Sequence, residues 1–220
     1  MNTYAPTSRT KVRRLARRGV YDKAVVHSIL DEGLLCHIGF AVEGQPYVIP
    51  TLYARAGEQL YIHGSAVSRM LKTLADGVDI CLTVTLVDAY VLARSAFHHS
   101  MNYRSVVVLG RAQPVTDRME QLQALQALTN HIVPRRWEEV REPNELEMRQ
   151  TAVLRLPLDE VSAKVRVGQP NDDAEDYALP VWAGVVPISA QVGAPLDDGR
   201  VRPDAPALDL TRFARKAGLR

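Results

Sequence analysis

Gln59-Leu60-Tyr61-Ile62-His63-Gly64-Ser65-Ala66-Val67-Ser68-Arg69-Met70-Leu71-Lys72-Thr73-Leu74-Ala75 is the stretch on which the fold turns. Its first five residues read as a short strand, and the apolar spacing from Met70 to Ala75 reads as a helix. At the junction lie a glycine, two hydroxyls three residues apart and an arginine. A helix start carries unpaired N–H groups and positive dipole charge, and a phosphate satisfies both. Ser65 is the expected N-cap, with Ser68 and Arg69 on the first turn facing an anion. An ordinary serine cap beside a solvated arginine accounts for the same residues, so this stretch alone leaves both readings open.

Working outward, strands and tight turns dominate. Val25, Val26, Ile29 and Leu30 mark one face of a helix that Asp22 starts and Gly33 stops. Residues 34–42 form a strand, Glu43-Gly44-Gln45 a hairpin turn, and residues 47–54 the returning strand. Pro50 within that strand argues for an edge, a bulge or a point where a ligand replaces the lost ladder bond. Residues 78–87 and 103–115 are further strands around a polar insertion at 94–102, and 116–132 is an amphipathic helix closed by Pro134. Residues 151–167 read as one last long strand. Together these predict a mainly β fold with peripheral helices, built on a small antiparallel barrel. The barrel occupies 21–188, after a basic N-terminal extension (1–20) and before a tail (189–220) whose Pro/Asp/Gly-rich part is loose or wraps a partner subunit.

The chain has 220 residues, enough for one substantial core, with 46% hydrophobic and 24% charged residues as in soluble globular proteins. No run approaches the roughly 18 apolar residues of a membrane span, and no apolar signal segment opens the chain, so a cytoplasmic home is expected. Cys36 and Cys81 sit in apolar runs and read as buried reduced thiols. The net charge of +2 excludes binding to polyanions by bulk electrostatics. Basic residues crowd both termini (Lys11 to Arg18, Arg212 to Arg220), yet without the aromatic interleaving of a nucleic-acid arm.

A second constellation runs from Arg94 through Ser95, His98, His99, Asn102 and Arg104 to Ser105. So many donors between two apolar strands call for a polar ligand or an interface. Adjacent His98 and His99 face opposite sides if extended, and no carboxylate stands near them in sequence, so no metal site is expected.

In order and spacing, Ile49-Pro50-Thr51-Leu52-Tyr53, His63-Gly64-Ser65 through Ser68-Arg69, and Arg94-Ser95 through Ser105 to Ala112 resemble the FMN-binding split-barrel proteins related to pyridoxamine 5′-phosphate oxidase. The nitroimidazole-resistance branch is the most similar. The resemblance implies a six-stranded antiparallel split barrel and a homodimer with one FMN in each of two interface clefts. It implies that His63, Gly64, Ser65, Ser68 and Arg69 hold the phosphate. Met70 stands where the family has a lysine, and Lys72 would supply that charge. The backbone around Ile49, Pro50, Thr51 and Tyr53 would follow the flavin ring, with Arg94, Ser105 and Trp182 as further contacts; Trp182 reads equally as a core residue.

The resemblance implies an FMN-dependent oxidoreductase that reduces a small flat acceptor such as a nitro compound or a quinone. His63, His98 or His99 would donate protons, since histidine titrates near neutrality. The oxidase's grip on pyridoxal phosphate has no equivalent here. Two other readings stay open. One is a haem-binding or haem-degrading split barrel using His37, His63, His98 or His99. The other is a flavin-binding module without catalysis.

Overall fold

Glu43 and Gly44, at φ 50° and 82°, both take the left-handed backbone that a two-residue hairpin turn requires. In the computed structural model, which describes residues 2–216, that turn joins the first two long strands. In chain order the elements are β1 (Gly19–Val20), α1 (Lys23–Glu32), β2 (Leu35–Val42), β3 (Gln45–Leu52), β4 (Ala54–Ala56), β5 (Gln59–Ser65) and α2 (Arg69–Ala75). After them come β6 (Asp79–Leu92), β7 (Ser100–Arg111), β8 (Gln113–Pro114), α3 (Arg118–Ile132), α4 (Glu145–Gln150), β9 (Thr151–Pro157), β10 (Glu160–Arg166) and β11 (Gly184–Pro187).

All pairings are antiparallel. One sheet runs β1-β10-β7-β6-β2-β3, with β11 on the far half of β6; the other runs β4-β5-β9-β8. The two sheets enclose the main core, and α1 plugs it with Val26, Ile29 and Leu30, each fully buried. Asp22 starts α1 by accepting from the Val25 N–H at 3.1 Å. Pro50 lies on β3, an edge strand, where its missing N–H costs no ladder bond. The mainly β split-barrel class therefore stands, with more strands than six. Among the described residues no helix is long and apolar enough to cross a membrane.

One strand reading needs correction. Residues 151–167 are not one strand: β9 pairs with β5 and β10 with β7, and the chain changes sheets at Leu158-Asp159. The N-terminal extension leaves Lys11, Arg13, Arg14 and Arg17 exposed, yet it is tied to the barrel at several points. Tyr4 is 6% exposed in the core, Thr7 and Arg9 bond to Glu160, and β1 extends the large sheet.

Tyr53, just beyond β3, is 1% exposed and donates its hydroxyl to the Leu30 carbonyl at 2.6 Å. Gly33 makes room for it: a Cβ there would lie 2.9 Å from that hydroxyl and 2.5 Å from Val84. Tyr53→Phe is therefore expected to cost about 1 kcal/mol of stability by leaving the Leu30 carbonyl unpaired. Chemical denaturation measures this, and an unchanged midpoint would show the bond to be idle.

Candidate functional site

β5 alternates across its sheet. Leu60 and Ile62 enter the main core, while Tyr61 joins the small apolar cluster under α3 and His63 shares its side. At Gly64 the strand must be bare, because a Cβ would sit 3.0 Å from Leu71 of α2. The chain then turns: the Ser68 N–H donates to the Ser65 carbonyl at 2.9 Å and the Val67 N–H to Ser65 Oγ at 3.4 Å. Ser68, not Ser65, is the N-cap, its Oγ accepting from the Leu71 N–H at 3.5 Å. Ser65 is thus released from capping and stays exposed on the turn.

Arg69 opens α2 and places its guanidinium carbon 5.6 Å from the centroid of Tyr47 on β3. That contact brings the turn against the edge strand, joining Tyr47 and Arg69 across 22 residues of sequence. Lys72 follows one turn on and is exposed. Along β3 the side chains of Tyr47, Ile49 and Thr51 point inward, and Val48 (67% exposed), Pro50 and Leu52 point out. Ile49 and Thr51 can therefore meet a ligand on the outer face only through backbone. Tyr53 commits its side chain to the core, so it too can meet such a ligand only through backbone.

His63 has a buried Nδ1 with no hydrogen-bond partner, and burial pulls its pKa below the ordinary 6.5. The folded protein then binds this proton less readily than the unfolded chain. The stability it contributes is present above 6.5 and lost as pH falls below that value. His63→Gln should accordingly lose less stability than the wild type between about pH 7.5 and 5.5, read from denaturation midpoints. His27, shifted the same way by burial, leaves a residual slope in both proteins. Equal slopes would show that His63 titrates alike in the folded and unfolded states.

The second constellation forms a separate cluster. Arg94 donates from its backbone N–H and Nη1 to Asp172 at 2.9 and 3.0 Å, and its guanidinium lies 4.8 Å from the Tyr177 centroid. Burial raises the Asp172 pKa, but the Arg94 contacts outweigh it and hold the carboxylate ionised. His98 meets Asp173 at 3.2 Å, and His99 Nδ1 meets the Ser95 carbonyl at 2.9 Å. Trp182 is 64% exposed and lies over Gly184. Ser105, mid-strand on β7, donates to the Lys164 carbonyl at 3.4 Å. Asp172, Asp173 and Tyr177 went unnoticed in the sequence because a polar run after β10 looks like any loop.

Within one chain these clusters do not meet. β2 pairs with β6 at residues 81–83, whereas Arg94 lies past the other end of that strand, about 30 Å of strand away. His37, Val48, Pro50 and Leu52 lie exposed on the outer face of β2 and β3, with Leu35 47% exposed among them.

The family model described as pyridoxamine 5′-phosphate oxidase matches residues 22–165. Among solved structures, the flavocytochrome Anf3 from Azotobacter vinelandii is 43% identical, covering 94% of this chain and 96% of that one at TM-score 0.87. The FAD and haem binding protein from Mycobacterium smegmatis is 34% identical, covering 87% and 94% at TM-score 0.83. A proposed 5-nitroimidazole antibiotic resistance protein from Bacteroides thetaiotaomicron shares the fold at 23% identity, covering 67% and 86% at TM-score 0.56. No curated protein matches.

Proposed function

Since the chain belongs to the pyridoxamine 5′-phosphate oxidase family, we propose that it is a flavin-binding oxidoreductase whose cofactor lies along β3 with its phosphate at the Ser65–Arg69 turn. The observation that carries this reading is the meeting of Arg69 with Tyr47, which sets a cation and a capped helix start beside an edge strand. The bare Gly64 and the unpartnered Nδ1 of His63 fit a ligand passing there.

A bound flavin supplies hydride and single-electron transfer. This chain's residues do the remainder. Arg69 and Ser65 bind the phosphate, Ser68 orders the turn, and Lys72 adds a second cation. The β3 backbone orients the ring. His63, kept neutral by burial, is a poor proton donor at neutral pH, which leaves that task to His98, steadied by Asp173, or to His99. A second copy of this chain completes the site, because one chain holds Arg94, Trp182 and both of these histidines far from the turn. The apolar outer face of β2 and β3 is where that copy packs. Two free thiols agree with a cytoplasmic setting.

Haem is the second reading, as a group carried in addition. The flavocytochrome and the FAD and haem binding protein favour it. A neutral imidazole is what iron ligation needs, and His63 offers one; His37 stands exposed on the open sheet face. With haem present the flavin would pass electrons to iron; without it, to a small flat acceptor such as a nitro compound or quinone.

The visible spectrum of the protein as isolated separates these readings. A flavin envelope is expected, and a Soret band that His63→Ala or His37→Ala abolishes would establish haem. Colourless protein that takes up neither group on reconstitution overturns the proposal. Gel filtration should return a dimer.

A further inference from the structure

Arg166, the last residue of β10, is 8% exposed and has no carboxylate partner among the described residues. Its Nη1 donates to Asn102 Oδ1 and, at 3.3 Å, to the Gly168 carbonyl. Both acceptors are neutral. Among the described residues neither the buried Nε nor Nη2 finds an acceptor. Burying a charge is costly unless an opposite charge meets it.

The surroundings add positive charge instead. Val161, Ala163 and Val165 turn toward the core, so Lys164 and Arg166 share the other face of β10. Gly19 pairs with Lys164, and the helical turn Ala16–Arg18 packs on β10, which sets Arg18 beside the strand end. Neither Arg18 nor Lys164 forms an ion pair among the described residues. Burial first and then Arg18 pull the Arg166 pKa below its ordinary value, the direction a missing counter-charge produces.

Nε and Nη2 are one edge of a guanidinium, and such an edge grips an oxyanion through two parallel bonds. Three cations without a carboxylate call for more than one negative charge, and a phosphate group brings about 1.5 to 2. β10 stands four strand spacings from β3, about 19 Å, so the Ser65–Arg69 turn of the same chain is a different place. We propose that Arg166, with Arg18 and Lys164, binds a phosphate group, either free phosphate or the phosphate of a larger molecule. The site does not depend on the flavin reading.

Calorimetric titration with inorganic phosphate, glycerol 3-phosphate and acetate, each against chloride at equal ionic strength, tests this. Wild type should bind phosphate saturably with Kd at or below about 1 mM, and its melting temperature should rise accordingly. Arg166→Met should weaken binding at least about tenfold and lose the rise. Arg18→Gln, at a half-buried position that makes no ion pair, should weaken it about threefold with the fold intact. Tighter binding of glycerol 3-phosphate names a phosphate ester as the ligand, and equal binding names free phosphate. No saturable binding to wild type, equal affinity for acetate, or unchanged affinity in the variants overturns the proposal. So does a wild type that ignores phosphate while Arg166→Met alters its elution on gel filtration, since a partner subunit's carboxylate would then meet the guanidinium.

Discussion

Arg104→Met is expected to lower the unfolding free energy by about 3–5 kcal/mol, the range for breaking a buried charge cluster from one side. Arg104 sits on β7 with its side chain 12% exposed, between Glu32 at the end of α1 and Asp88 on β6. Its Nη2 lies 2.8 Å from Glu32 Oε1 and 2.7 Å from Asp88 Oδ1, and Nε lies 3.0 Å from Asp88 Oδ2. Glu32 first and then Asp88 push the guanidinium pKa up, so it stays charged throughout the accessible range. Methionine keeps the stem but strands two carboxylates that face each other. The damage would spread, since Asp88 stands at the register shift in β6 and its carbonyl accepts from Ile188 just past β11. Arg104→Lys should recover only part of the loss, because an ammonium cannot grip two carboxylates with a planar fork. Denaturant midpoints measure all three proteins. A loss under about 1 kcal/mol would mean the cluster behaves as a surface ion pair.

That cluster was invisible in the sequence, where Glu32, Asp88 and Arg104 are three charges in three different elements. What local pattern encodes was legible. Asp22 and Gly33 bound α1 as capping chemistry requires, and Pro50 announced an edge strand. The long stretch 151–167 misled because its break at Pro157-Leu158-Asp159 carries no glycine. An unbroken apolar rhythm cannot tell one strand from two that serve different sheets. The alternation of Tyr47, Ile49 and Thr51 already assigned the Tyr53 side chain to the inward face. Tyr4 gave no periodic signal at all, being one aromatic in a polar terminus. The candidate site residues fall in two neighbourhoods, Gly64 to Lys72 and Arg94 to His99. Their separation could not be read from sequence, since it depends on β6 running past its partner β2.

Arg69→Ala is expected to weaken flavin binding by roughly 10- to 100-fold, as the loss of a charge-assisted phosphate contact worth about 1.5–3 kcal/mol. Micromolar affinity needs about 8 kcal/mol, so one arginine cannot supply it alone, and the variant should retain weak binding. Because Arg69 is exposed, salt screens part of its attraction, with a Debye length of about 8 Å at physiological ionic strength. Wild-type affinity should therefore fall with added salt more steeply than that of the variant. Stacking on Tyr47 preorganises the guanidinium, and Tyr47→Leu should reproduce a smaller share of the loss. FAD and FMN should suffer alike from Arg69→Ala, since both carry the phosphate nearest the ring. Fluorescence titration at two salt concentrations reads each effect. Unchanged affinity in Arg69→Ala would put the phosphate elsewhere and leave Arg69 a surface arginine resting on a tyrosine.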